Sequence, residues 1–342
     1  MKMRGNILNI SCLTVFVLGL VSCERDFEIK DVMDKPLFRI ESIFHEKQDT
    51  TEIVIMPTYP ALGEPHESSV PEGMEVRLFE NGVERTVEKA DDRYRFNDPK
   101  YKWFVTGGFQ EGSKIEIMVK GEGYPSAQSE ITFPEKFNDF TCSVEKYTGD
   151  NAILNIHYRD NPETDDYYAV TVSHNVRTIL NDGTLLNESN SSVINDEYSK
   201  DDYGEYAFKC LSLDGKGWAG RSKLAFWNDA HESVDGVKTM SIHISEKKGA
   251  DSWEYRGDQL GGEGTEVLGM CYSSTIVTVY RLTPQAYHYL CGQWNQKLNV
   301  MAGIGMAPPT FTYTNIVGGI GGFAAMSASD PYVIDWSGYV AQ

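Results

Sequence analysis

The chain has 342 residues, 31 basic and 50 acidic side chains and a formal net charge of −19. Such a body is repelled by nucleic acid and by anionic lipid head groups, which argues against either as a partner surface. The length suits one large or two ordinary domains with full hydrophobic cores.

The first stretch carries Lys2 and Arg4, then an apolar run over residues 7–21 interrupted by Asn9 and Ser11. A membrane span needs about 20 apolar residues, so the run is too short and too broken for one. A basic head, an apolar middle and a small residue at the end make a secretory signal peptide. Leu20-Val21-Ser22-Cys23 resembles a bacterial lipobox, which implies cleavage before Cys23 and lipidation of that residue. Loss of residues 1–22 removes Lys2 and Arg4 but no acid, moving the net charge from −19 to −21. Residues 23–36 then form a charged tether. Stable anchoring needs more than one acyl chain, which a lipidated Cys23 supplies without a protein span.

Residues 37–134 are predicted to form an immunoglobulin-like β-sandwich. Residues 38–43 alternate apolar and polar, residues 52–56 are β-rich and end at Pro57, and residues 114–119 alternate again. Asn81-Gly82 lies between runs 75–79 and 83–87; both residues tolerate positive φ, so the pair predicts a tight hairpin. Trp103 and Tyr94 read as core or edge aromatics.

Residues 135–342 are predicted to form a larger β-rich domain, sandwich or barrel-like, with one helix in the C-terminal region. Strands are expected at 140–147, 152–158, 167–172, 224–227, 239–244 and 275–282. Residues 148–151 suit a hairpin loop. Residues 181–205, rich in Asn, Ser, Asp and Glu and holding N-x-S sequons at Asn187 and Asn190, read as a long exposed loop. Thr283-Pro284 is a helix start, with a capping hydroxyl before a proline at the first helical position. Tyr287, Leu290, Trp294 and Leu298 recur at helical spacing and predict a buried stripe. Gly319 to Ala324 fits G-x-G-x-x-A, but a dinucleotide site requires a βαβ unit around it. The surrounding residues predict a glycine-kinked strand that bends or passes closely under other backbone.

Little chemistry is legible. Cys142, Cys210, Cys271 and Cys291 show no CxxC pairing, and either disulfides or buried thiols satisfy them. The seven histidines form no HExxH motif, and GxSxG is absent. Asp160, Glu163, Asp165 and Asp166 form an acidic loop, a candidate calcium site by its clustered oxygens but not an EF-hand by its spacing. The 19 tyrosines and 6 tryptophans suit core packing first and sugar stacking second.

Gly121-Glu122-Gly123-Tyr124-Pro125-Ser126-Ala127, then Tyr158-Arg159-Asp160-Asn161-Pro162 with Asp166-Tyr167-Tyr168, stand in a telling order. Leu282-Thr283-Pro284-Gln285-Ala286-Tyr287-His288-Tyr289-Leu290 and Thr314-Asn315-Ile316-Val317-Gly318-Gly319-Ile320-Gly321-Gly322-Phe323 follow them. Together these segments resemble DUF4249, a family of Bacteroidota lipoproteins with no assigned activity. The acidic Glu24, Asp26 and Glu28 resemble the export signal that sends such lipoproteins to the outer face of the outer membrane. The resemblance implies an outer-membrane lipoprotein, often encoded beside TonB-dependent transporters. The expectation is a non-enzymatic binding or accessory component of such an uptake system. A fimbrial or adhesin subunit and a surface hydrolase are the alternatives. The resemblance supplies no catalytic or ligand-binding residues.

Overall fold

The computed structural model describes residues 36–45, 50–58, 71, 73–90, 101–146, 151–159, 161–195, 208–212, 223–230, 233–245, 252–256, 266–303, 306–307 and 313–334. Cys23, Tyr94 and Asp160 lie outside them. The protein is mainly β, with several sheets, two helices and no closed barrel among the described residues.

The first strands are β1 (Phe38–His45), β2 (Thr50–Pro57), β3 (Glu75–Glu80), β4 (Val83–Arg85), β5 (Val87–Lys89), β6 (Lys102–Thr106), β7 (Lys114–Lys120) and β8 (Ala127–Thr132). Strict alternation makes β7 and β8 half-buried: Ile115, Ile117, Val119, Ala127 and Ile131 face inward while Lys114 and Glu130 face water. Asn81 and Gly82 have φ of 51° and 78°, the geometry of the tight hairpin turn joining β3 to β4. The run 83–87, expected as one strand, is two. β4 pairs with β3, while β5 pairs with β6, so the chain changes sheets at Thr86. The small sheet β4-β3-β7-β8 packs on the sheet that holds β1, β2, β6 and β5, around Phe38, Ile40, Phe44, Ile53, Leu78, Val105, Ile117 and Phe133.

The chain continues through β9 (Phe140–Lys146), β10 (Asn151–Tyr158), β11 (Tyr167–Leu180), β12 (Leu185–Ser192), β13 (Lys209–Ser212), β14 (Lys223–Asn228), β15 (Lys238–Ser245), β16 (Ser252–Arg256) and β17 (Val267–Leu282). Helices α1 (Pro284–Leu298) and α2 (Val300–Gly303) precede β18 (Gly319–Ala328) and β19 (Tyr332–Ile334). Two strands are much longer than the sequence suggests. β11 runs to Leu180, and β17 begins at Val267. Residues 185–192 of the expected loop 181–205 are strand: β12 folds back on β11 as a hairpin. After the exposed Leu185 and Leu186 its residues are polar, and the cross-strand pairs Arg177–Glu188 and Asn175–Glu188 hold its register. The strands β12-β11-β17-β16 thus extend as an arm beyond the packed body.

The long sheet is ordered β13-β14-β11-β17-β18-β1-β2-β6-β5. β18, which the sequence assigns to the second unit, pairs in parallel with β1 along its length, from Phe38↔Gly319 to His45↔Met326. Its far end pairs with β17, Leu282 with Met326 and Tyr280 with Ala328. Side chains alternate across a strand, so the register fixes what each face touches. Phe323 and Ala325 enter the core of the first sandwich; Ala324, Met326 and Ala328 enter the second core, beneath α1. On that second core's other side, Tyr168, Val170, Val172, Val277 and Val279 meet the sheet β15-β10-β9. By the same parity, both small sheets cover one face of the long sheet and α1 covers the other.

The glycines of β18 are explained by proximity. Gly321 has φ of 110°, and a Cβ there would collide with the carbonyl of Ile40. A Cβ at Gly322 would enter the ring of Tyr289, and one at Gly319 would sit 2.7 Å from the Phe38 carbonyl oxygen. The dinucleotide-like pattern is therefore the glycine-kinked strand expected from its surroundings. Asn315 completes the edge: its Oδ1 accepts from the Phe323 N–H at 3.0 Å and its Nδ2 donates to the Phe323 carbonyl at 2.7 Å. Val317 and Gln128 exchange two backbone bonds, tying the strand's lead-in to β8.

Overpacking a tight core site costs about 1–3 kcal/mol. Gly322→Ala is expected to fall in that range, and Gly321→Ala above it, because strain at positive φ adds to the collision. Urea denaturation of both variants measures this; Gly183→Ala, with positive φ in open space, is the control for strain alone.

Candidate functional site

The connection from β17 to α1 positions the site. Thr283 has extended backbone, and its Oγ1 accepts from the Ala286 N–H at 3.1 Å and the Ala325 N–H at 3.3 Å. One hydroxyl thus caps the helix and pins its start to β18. Tyr287, Leu290 and Trp294 are buried, as the helical spacing predicts, with Ala286 beside them; Leu298, expected in the same stripe, is exposed at the last residue of the helix.

The first turns of α1 present an aromatic patch. Tyr167, the first residue of β11, stacks on Tyr287 with centroids 4.6 Å apart and planes 25° from parallel. His288 meets Tyr167 at 5.8 Å, Tyr287 at 5.6 Å and Tyr313 at 5.4 Å. Tyr287 is buried, Tyr167 and Tyr313 are half-buried, and His288 is exposed. The rings touch one another, so they present a surface and leave no slot between them. Lys209 closes one side: its Nζ lies 3.3 Å from the Tyr287 hydroxyl and 5.5 Å from the ring centre. Burial pushes the phenols of Tyr287 and Tyr313 above their ordinary range. Tyr167 is raised by burial first and then by Asp165, Asp229, Cys291 and Asp166.

The acidic loop adjoins this patch. The Asn161 side chain accepts from the Glu163 N–H at 3.1 Å, and Glu163 and Asp165 are exposed. Asp166 is buried. One carboxylate oxygen pairs with Arg281 of β17 and the other accepts from Thr164 at 2.9 Å. Its N–H donates to Asp229 at 3.0 Å, and its carbonyl accepts from the Asp229 N–H. Asp166 is thus engaged in holding the loop to the sheet. Among the described residues, no three His, Cys, Asp or Glu side chains gather as metal ligands.

The other chemistry-bearing residues are dispersed. Cys142, Cys210, Cys271 and Cys291 are all free thiols, and burial raises Cys142 to about 12. His157 bridges Ser143 at 2.9 Å and Thr239 at 3.0 Å across the small sheet. The patch itself is not legible in the sequence, where Tyr287 reads as core and Tyr167 as strand. The available signal was the nearness of Tyr167 to the acidic loop and of His288 to the helix start.

The architecture defines a mainly β protein of two joined sandwich-like units with a helical cover. Residues 24–330 match the model of a domain of unknown function, DUF4249, and the chain belongs to that family. No curated protein matches it. Among solved structures, it is similar to a β-glucuronidase of Parabacteroides merdae at 15% identity and a TM-score of 0.21, over 72% of this chain and 24% of the other. A protein of Corynebacterium diphtheriae described as membrane anchored gives 12% identity and a TM-score of 0.18, over 73% and 55%. The chain spans about a quarter of the glucuronidase and about half of the second protein.

Removing one partner of a buried ion pair costs about 3–5 kcal/mol, and Arg281 is partly open to water. Asp166→Ala is therefore expected to cost about 3 kcal/mol, read by urea denaturation. His243 has its pKa lowered by burial, so the unfolded chain binds the proton more readily. Stability from this group is present above the unfolded pKa of about 6.5 and falls as pH drops through that value. Denaturation at pH 7.5 and 5.5 is expected to show a smaller pH-dependent loss in His243→Leu than in the natural chain.

Proposed function

We propose that the protein is a lipid-anchored, surface-exposed outer-membrane component that binds a nutrient without transforming it and serves a TonB-dependent transporter. The single observation that carries the binding role is the aromatic patch at the start of α1, half-buried at Tyr167 and Tyr313 and exposed at His288. It is assembled by Tyr167 and by Tyr287 and His288, from two of the segments on which the family resemblance rests, with Tyr313 beside the third. The anchor follows from the lipobox-like segment ending at Cys23.

The sheet supports an anchored, outward-reaching arrangement. Phe38, the start of β1, lies beside Gly319 at one end, and the chain of pairings runs up β18 to Ala328 and on along β17 from Tyr280 to Gly269. At about 3.3 Å per residue this is on the order of 60 Å of strand between the tethered end and the arm.

Affinity purification of the C-terminally tagged protein from detergent-solubilised outer membranes tests the reading. A stoichiometric β-barrel transporter is the expected companion. Self-associated subunits would replace this reading with a fimbrial one, and recovery of the protein alone would remove the transporter. Cys23→Ala is expected to abolish lipid labelling and release the protein from the membrane fraction.

A further inference from the structure

We propose that the patch of Tyr167, His288 and Tyr313 is a binding surface for neutral carbohydrate. The proposal rests on the reading of the protein as a binding component and names its ligand class.

Three features select that chemistry. The first is shape. The rings pack against one another at 4.6–5.8 Å, so they fill their own gaps and cannot cage a cation; what remains is outward ring surface, with His288 most exposed. The apolar C–H face of a pyranose ring is flat and matches such a surface.

The second is the polar rim. Asp165 is exposed beside Tyr167, and Lys209 lies against Tyr287. Sugar hydroxyls both donate and accept, so a rim with an acceptor and a donor serves them equally. A basic peptide would meet the Lys209 ammonium. It would also find Asp166 already engaged by Arg281 and Thr164, and Asp229 accepting from the Asp166 N–H.

The third is long-range charge. The chain carries a net charge of −19, which disfavours uronates, phosphorylated sugars and acidic peptides. Ring packing that leaves no cage for a cation and a global field that disfavours anions favour an uncharged polyhydroxyl ligand.

The test presents full-length, detergent-solubilised protein to an array of neutral oligomers of glucose, galactose, mannose and xylose, with uronic-acid oligomers and basic peptides alongside. Titration calorimetry follows on the strongest neutral oligomer. The expected result is selective retention of one neutral series. His288→Ala and Tyr313→Ala should each weaken it about tenfold or more, with melting temperatures unchanged. Absence of any neutral binding, preference for basic peptides, or undiminished affinity in the double variant would overturn the proposal. The transporter readout is independent. A transporter that co-purifies with natural and double-variant protein alike, with no glycan bound, removes only the carbohydrate proposal. Patch-dependent glycan binding without a transporter removes only the partner.

Discussion

The structure depends on a strand that has no solvent face. β18 carries alternate side chains into two different cores, and from Gly322 inward both of its surfaces are covered. A strand in that position tolerates only small or well-fitted residues, because interiors are packed to crystal-like density. Hence the run Gly319-Ile320-Gly321-Gly322-Phe323-Ala324-Ala325: glycine where backbone or a ring approaches, alanine where a core is shallow, phenylalanine where it is deep. Nothing about nucleotide chemistry is needed to account for the pattern.

Polar groups then fix the orientation of the helical cover on this strand. The Tyr289 hydroxyl donates to Glu41 at 2.6 Å, and Glu41 pairs with Arg39, both on the face of β1 that α1 covers. Burial, reinforced by the neighbouring Glu41 carboxylate, raises the Tyr289 phenol, so it stays a donor at any physiological pH. Thr283 fixes the start of the same helix. With both attachments made, Tyr287 and His288 face Tyr167 in one geometry, which is why the patch is a property of the whole fold and not of a loop.

Much of the local structure was legible because alternation and turn chemistry act over a few residues. Asn81-Gly82, the alternating 114–119 segment and the Thr283-Pro284 helix start each state their conformation within a short window. The failures share a cause. Residues 187–192 are polar because their strand is an exposed hairpin arm, and polarity without a buried face reads as loop. The break at Thr86 reflects a change of sheet, which depends on distant partners. The aromatic patch draws on β11, α1 and the lead-in to β18, so only topology reveals it. Asp166 illustrates the reverse error: a carboxylate in an acidic run looks like a ligand until its partner Arg281, far along the chain, is seen.

The pairing of β1 with β18 has a consequence for the order of events during synthesis. The first described strand of the chain finds its parallel neighbour only when synthesis has passed Gly319. The leading sandwich is therefore incomplete while it emerges, with Phe38, Ile40 and Phe44 lacking Phe323 and Ala325 and one edge of β1 open. Open edges beside apolar faces invite wrong pairing between chains, and such long-range closure is slow. A message or chain cut short before Gly319 leaves both cores unsealed, so completeness of the product is enforced by the fold itself.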